Sequence, residues 1–428
     1  MTGLMLKVVG GWLAIILAGF PLYVSMIVAT IVFLWLGGFP LSILPQKMAG
    51  AMNSFPLVAA PLFILMGHIL AAAKVTDRIV EFASAVIGWV RGGYAHVSIL
   101  TSIIFAGMVG SAVADAAGSG AIEIKAMKKA GYKPETAAAI TAAAATIGPI
   151  IPPSLPMVIY GVTADVSIGR LFMAGVVPGL LMGISLMVMV AFVARREGMA
   201  RQTFAGFRNI AITFGRTFFA LMTPVLLLGG MFSGYFTPTE AAAVACFWAL
   251  FLGFVVYRTL TVKQLPAIVM ETIETTGLVM ALVMAAGALG WCLSVSRLPQ
   301  VFTPWILSWV ESPLLFLLLV NILLLIVGCF MESLAALLIL IPILAPAAAS
   351  FGIDPVQFGV MMVLNLIIGT ITPPVGVVLF IVTRIAEVPF ETMARVILPW
   401  LVPLLVVLGA ITAWPPLTLW LPRLILGS

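Results

Sequence analysis

Four short polar turns interrupt an otherwise apolar chain, and their side chains are the ones able to do chemistry. The first carries Ser111, Asp115 and Ser119. The second carries Thr146, Gly148 and Ser154 around Pro149 and Pro152-Pro153. The third carries Glu332 and Ser333, and the fourth Asn365, Gly369, Thr370 and Thr372 just before Pro373-Pro374. Every one of these groups offers hard oxygen, and glycine and proline free further backbone carbonyls by stopping helices. Sodium, a hard cation, wants such oxygens, while a half-helix starting at Ser154 presents N–H groups to an anion. One turn can thus hold a cation on one side and a carboxylate on the other. Two matched cation-competent turns imply two or more sodium ions for each carboxylate.

The elements that must position these turns come in two copies. Residues 147–178 and 368–399 read alike at a constant offset of 221, which aligns Gly148 with Gly369, Pro152-Pro153 with Pro373-Pro374 and Pro178 with Pro399. The same offset pairs Gly107 with Gly328, Gly131 with Gly352 and Pro134 with Pro355. Each Gly/Pro cluster falls inside a long apolar run. A helix broken there survives only in protein or a watery cavity, because lipid cannot satisfy the freed backbone groups. Paired breaks of this kind mark a transporter's binding site.

The chain is 63% hydrophobic and 8% charged, which makes it an all-α polytopic membrane protein. Its net charge of +6 sits in short loops, as the positive-inside rule expects, and does not indicate nucleic acid. No cleavable signal pattern is present. Spans are expected near 4–20, 22–38, 55–73, 134–163, 169–194, 217–233, 239–257, 275–293, 355–383 and 394–421. The stretches 97–129 and 315–349 have turn-prone middles and read as re-entrant helical hairpins. The segment 76–90 puts Ile79, Phe82, Val86 and Val90 on one face and Asp77, Arg78 and Glu81 opposite, an interfacial arm with a counterpart at 298–310.

Arg195, Arg196, Arg201, Arg208 and Arg216 read as one loop, which is therefore cytoplasmic; Arg91, Lys125, Lys128, Lys129 and Lys133 make the first hairpin open from the same side. The second hairpin then enters from the opposite side. The two halves are inverted repeats, and both termini come out periplasmic. The expected organisation is scaffold helices over 1–52, a first repeat over 53–195 (with its broken helix at 134–163), a central cytoplasmic loop and scaffold helices over 196–273, and a second repeat over 274–428 (with its broken helix at 355–383).

Several groups have local structural readings. Thr237-Pro-Thr-Glu240 and Asp354-Pro-Val-Gln357 are capping boxes, and Ser167 is a helix cap. Glu123 and Lys125 suit a salt bridge or surface role. Asp115 and Glu332 combine two readings, capping of their hairpin tips and coupling to an ion or substrate. His68 and His96 read as hydrogen-bonded packing histidines, and Cys246, Cys292 and Cys329 as inert thiols. No G-x-x-x-x-G-K-[ST], H-E-x-x-H or G-x-S-x-G motif occurs, so neither an enzyme nor an ATP-driven pump is expected.

Four stretches carry a family resemblance: GSAVADAAGSG, AMKKAGYKPETAAAITAAAATIGPIIPPSLPMVIYGV, FTPTEAAAVA and LNLIIGTITPPVG. They resemble the large membrane subunit of tripartite ATP-independent periplasmic (TRAP) transporters, over essentially the whole chain. The resemblance implies an elevator-type fold and sodium-driven import of an organic acid across the bacterial inner membrane. It also implies two partners, a separate small four-helix membrane subunit and a soluble periplasmic substrate-binding protein. Mapped onto this chain, it makes Ser111, Thr146, Gly148, Glu332, Asn365, Gly369, Thr370 and Thr372 the candidate sodium ligands. Ser111, Asp115, Ser154 and Thr372 are the candidate substrate contacts. Glu123 and Lys125, in the stretch 120–127, look more like the sialic-acid-type subset than the C4-dicarboxylate type. A stand-alone organic-anion carrier and, more remotely, a channel are the competing readings.

Overall fold

The computed structural model describes residues 1–199, 201–297, 310 and 312–427, so the second interfacial arm expected at 298–310 lies almost wholly outside the described residues. Those residues form helices and connecting turns, with no strand among them. Seven of the helices are long and apolar enough to cross a membrane, or eight if Phe390–Val396 and Leu398–Ala413 count as one bent span.

Both re-entrant hairpins are present. The first rises as Gly93–Val109, turns at Gly110-Ser111 and returns as Ala112–Ala117 and Ser119–Lys129. The second rises as Pro313–Phe330, turns at Met331-Glu332 and returns as Ser333–Ser350. The broken helices are Pro134–Ala145 with Leu155–Ala164, and Pro355–Gly369 with Val377–Ala386. Both breaks contain a cis peptide bond, Pro152-Pro153 and Pro373-Pro374. The offset of 221 does not run through without a gap. It holds at the prolines and becomes 222 over Leu155–Ala164 and Val377–Ala386, where Gly376 is the extra residue.

Packing makes the inversion visible. Pro134–Ala145 lies along Val377–Ala386, and Leu155–Ala164 lies against Pro355–Gly369. The entering half of each broken helix therefore borders the leaving half of the other, so the two run in opposite directions. Pro134–Ala145 is an alanine-rich rod, and every residue from Thr136 to Ala145 is buried. Small side chains let helix backbones approach closely where no aqueous hydrophobic force drives them together.

Contacts also sort the loops to two faces. On one, the Thr2 hydroxyl donates to the Ser296 carbonyl (2.8 Å), and Ser54, Ser167, Thr237 and Leu426 line a common cleft. On the other, the Gln202 N–H donates to the Gly88 carbonyl (3.0 Å) and the Thr259 hydroxyl to the Ala73 carbonyl (2.8 Å). This second face carries the basic segments and is the cytoplasmic one by the positive-inside rule. The interfacial helix Val75–Ile87 is wedged there. Its Phe82 ring meets Phe214 at 5.9 Å, and the Arg78 guanidinium lies 4.2 Å from the Tyr257 ring centre.

Some sequence expectations need correction. The five arginines do not share one loop: Arg195 and Arg196 finish helix Ile168–Glu197, while Arg208 and Arg216 belong to Phe207–Phe232. The span expected at 275–293 is the longer helix Leu265–Val295. The segment 394–421 is not one span. It bends by 46° at Ile397 and stops again after Ala413, because Pro399 and Pro415-Pro416 each remove a helix donor. The short helix Ile43–Met52, packed on Leu265–Val295, was not expected.

Candidate functional site

The four polar turns meet. One small cavity is lined by Gly110, Ser111, Ala112 and Val113 from the first hairpin tip and by Pro149, Leu155 and Pro156 from the first break. Glu332, Ser333 and Leu334 from the second tip and Thr370 and Val377 from the second break complete it.

Close backbone contact holds each tip against its break. Gly110 sits at φ +61°, and a Cβ there would lie 2.2 Å from the Pro153 carbonyl oxygen. Only glycine tolerates both conditions. In the second copy, a Cβ on Gly369 would lie 2.6 Å from the Gly328 Cα, and the Gly376 N–H donates to the Cys329 carbonyl (3.0 Å). Gly107, which the repeat pairs with Gly328, faces Pro224 of helix Phe207–Phe232 instead. The same glycine is used within the hairpin–break pair in one copy and outward in the other.

The tips are capped by different chemistry. The Ser111 side chain accepts from the Ala114 N–H (3.3 Å), while the Glu332 carboxylate accepts from the N–H groups of Leu334 (3.0 Å) and Ala335 (3.3 Å) and from the Ser333 hydroxyl (3.0 Å). Glu332 thus caps its tip and lines the cavity at once.

Of the remaining candidates, some join the cluster and some do not. Gly148 approaches Ser111: a Cβ on it would lie 3.9 Å from the Ser111 carbonyl oxygen. The carbonyl oxygens of Thr146 and Gly148 accept no hydrogen bond from the described residues, but neither residue lines the cavity. The hydroxyls of Thr146 and Thr370 each donate back to their own helix (2.6 Å, to Ala143 and Ile367). Ser154 is fully buried, donates to the Pro149 carbonyl and accepts from the Met157 N–H (3.2 Å), so its hydroxyl closes the break and spends its one proton there. Thr372 lies two residues beyond the cavity wall and donates to the Ile368 carbonyl (2.8 Å). Asn365 does not line the cavity: its amide N–H groups donate to the Asn321 carbonyl (3.0 Å) and side chain (2.6 Å), and Asn321 donates in turn to Thr412 (3.0 Å), while the Asn365 Oδ1 is buried with no hydrogen-bond partner among the described residues.

Asp115 also lies outside the cavity and does not cap the tip. It is buried inside the first hairpin, where Ser102 (2.7 Å) and Ser119 (2.5 Å) donate to its carboxylate. Two turns further on, Glu123 is equally buried and accepts from Ser98 (2.5 Å). The salt bridge expected for Glu123 is absent among the described residues, whose one ion pair is Lys128 with Glu387 (3.8 Å).

The local readings divide in the same way. The Thr237/Glu240 box is complete in both directions. Asp354 caps Val356 and Gln357, but the Gln357 side chain reaches the carbonyls of Ile411 and Thr412 rather than returning to the cap. His68 pairs with Thr272 (3.0 Å), whereas buried His96 keeps an unpartnered Nδ1.

A cavity volume of about 40 Å³ sets what the closed site can hold. Drug-sized ligands need on the order of 300 Å³ or more, whereas a water needs only about 10–15 Å³. A space of this size suits a small cation and its water and is far below that of a drug-sized ligand.

The sequence from residue 9 to residue 417 matches the family model for the DctM component of the tripartite ATP-independent periplasmic transporter. The chain belongs to this family. It is 46% identical to the large permease of the Vibrio cholerae sialic acid TRAP transporter, SiaM, over 97% of this chain and 98% of that one. It is 39% identical to the Pseudomonas aeruginosa C4-dicarboxylate large permease DctM over 88% of each chain. The fold is similar to that of the Alcanivorax borkumensis YdaH transporter, with a TM-score of 0.66, 15% identity and 88% of each chain covered. This TRAP large permease is a multi-pass inner-membrane transport protein and not an enzyme.

Proposed function

We propose that this large permease imports a carboxylated solute of the sialic-acid type, driven by two or more sodium ions, through an elevator movement. In this reading the hairpins and broken helices form the moving block. Its companions are a small four-helix membrane subunit and a periplasmic substrate-binding protein that delivers the solute. The observation that carries the proposal is the convergence of both tips and both breaks on one cavity. Hard oxygens of Ser111, Glu332 and Thr370 in its wall suit a cation, and the N-terminus of helix Leu155–Ala164 favours an anion. The 46% identity to the Vibrio cholerae sialic acid permease, against 39% to the Pseudomonas aeruginosa C4-dicarboxylate permease, supports a sugar acid over a C4-dicarboxylate.

The test is uptake of labelled sialic acid and of a C4-dicarboxylate into vesicles containing this subunit, its small partner and the binding protein. Uptake of sialic acid only in the presence of all three components is the expected result. Uptake of free solute without the binding protein would instead establish a stand-alone carrier.

A further inference from the structure

The inverted repeats place a pocket at the base of each hairpin, on opposite faces. At the second hairpin, Pro342, Ala345, Pro346 and Ala349 face Ala164 and Asp165 across about 400 Å³. At the first, the equivalent positions are Ala121, Ile124, Lys125 and Lys128; with Lys129 they face Ile385 and Glu387 across about 500 Å³. The fold dictates the hollow in both copies. It does not dictate lysine, because the second copy has none there.

Helix-dipole compensation accounts for Lys128 and Lys129, which lie in the last turn of Ser119–Lys129. Lys128 is in addition tied down, donating to the Ala386 carbonyl (3.0 Å) and pairing with Glu387 (3.8 Å). Lys125 lies a turn earlier and is exposed, as is Lys129, and no hydrogen bond or ion pair engages either ammonium among the described residues. Three lysines less one glutamate leave two net positive charges on the rim. The floor beneath them is apolar, made by Ala121, Ile124 and Ile385. The same face carries the exposed aromatic group of Trp89, Phe204 and Phe207, whose rings contact one another in series (5.9 and 5.4 Å), a mark of headgroup depth.

We propose that this pocket binds the headgroup of an anionic phospholipid of the cytoplasmic leaflet, with phosphate on Lys125 and Lys129 and glycerol and first methylenes on the apolar floor. A cationic rim over an apolar floor suits an amphiphile, whereas a sugar acid would leave that floor unused. Basic pockets between membrane helices on the cytoplasmic side recognise such headgroups. Bound there, the lipid anchors the base of the first hairpin at headgroup level, so its binding favours the arrangement seen here.

The test is native mass spectrometry and thermal unfolding of the purified protein with added cardiolipin or phosphatidylglycerol. Lys125→Gln/Lys129→Gln should bind about twenty-five-fold more weakly, the product of about fivefold for each lysine at a membrane surface, and lose the lipid-induced rise in Tm. Lys263→Gln, on the same face but outside the pocket, should keep both. Unchanged lipid adducts in the double variant would overturn the proposal, as would equal losses in Lys263→Gln. If inorganic phosphate raised Tm as much as the lipid and displaced it, the occupant would be a soluble anion and not a lipid.

Discussion

The two hairpins occupy equivalent places around the cavity, yet their interiors are opposites. The second has an unbroken apolar return arm, the buried Asn321 of its rising arm pairs outward with Asn365 and Thr412, and the carboxylate at its tip, Glu332, is spent on capping and on the cavity wall. The first breaks at Gly118 and caps its tip with a serine, and its interior buries Asp115 and Glu123 held by Ser98, Ser102 and Ser119. Its base carries the lysine pocket, where the second hairpin has proline and alanine. The repeat has conserved the backbone device, a tip pressed on a broken helix through glycine, and has left polar chemistry free to differ. Charge is concentrated in the hairpin that opens toward the cytoplasm.

That contrast can be broken by substitution. The largest effect belongs to the shared device. Gly110→Ala and Gly369→Ala should each reduce sodium-dependent uptake to background, because the added methyl would lie 2.2 Å from the Pro153 carbonyl oxygen in one and 2.6 Å from the Gly328 Cα in the other. Uptake assays with expression controls check this; normal uptake in either would mean the tips need not touch the breaks.

Next come the interiors. Ser102→Ala with Ser119→Ala removes both side-chain partners of the buried Asp115 and should cost about 2 kcal/mol or more in unfolding measurements, the scale of a buried polar group left unsatisfied. Glu332→Ala removes only a cap, about 1 kcal/mol, but should raise the half-saturating sodium concentration several-fold, roughly another 1 kcal/mol. If Glu332→Ala destabilised more and left sodium dependence intact, the assignment of roles to the two hairpins would be reversed. The smallest effect is expected at the seam between the repeats. Tyr160→Phe deletes one hydrogen bond to the Pro355 carbonyl (2.9 Å) and should cost about 1 kcal/mol in thermal unfolding, without altering sodium dependence.

Much of this architecture was legible in the sequence because glycine and proline act locally. Pro134, Pro355 and the two Pro-Pro pairs fix where helices start and break whatever surrounds them, and the four turns of the site follow from them. What the sequence could not convey was the direction of side chains with more than one possible partner. The Asn365 amide N–H finds Asn321, 44 residues away, and Gln357 finds Ile411, 54 residues away, contacts that no reading of one helix alone supplies. Asp115 looked like a tip residue by spacing, but the return arm turns it inward to Ser102. The helix Ile43–Met52 was missed because it is short and none of its residues is buried, so no strong apolar period marks it.

The central claim is that the two tips and two breaks together bind sodium in partnership with the solute. Its most direct test is the sodium dependence of solute uptake by the reconstituted transporter, titrated with and without an imposed inside-negative potential. The account predicts no uptake without a sodium gradient, a Hill coefficient approaching about 2, and stimulation by potential, since each net charge crossing gains about 2.3 kcal/mol per 100 mV. Uptake that persisted without sodium, or ignored the potential while sodium was saturating, would contradict it.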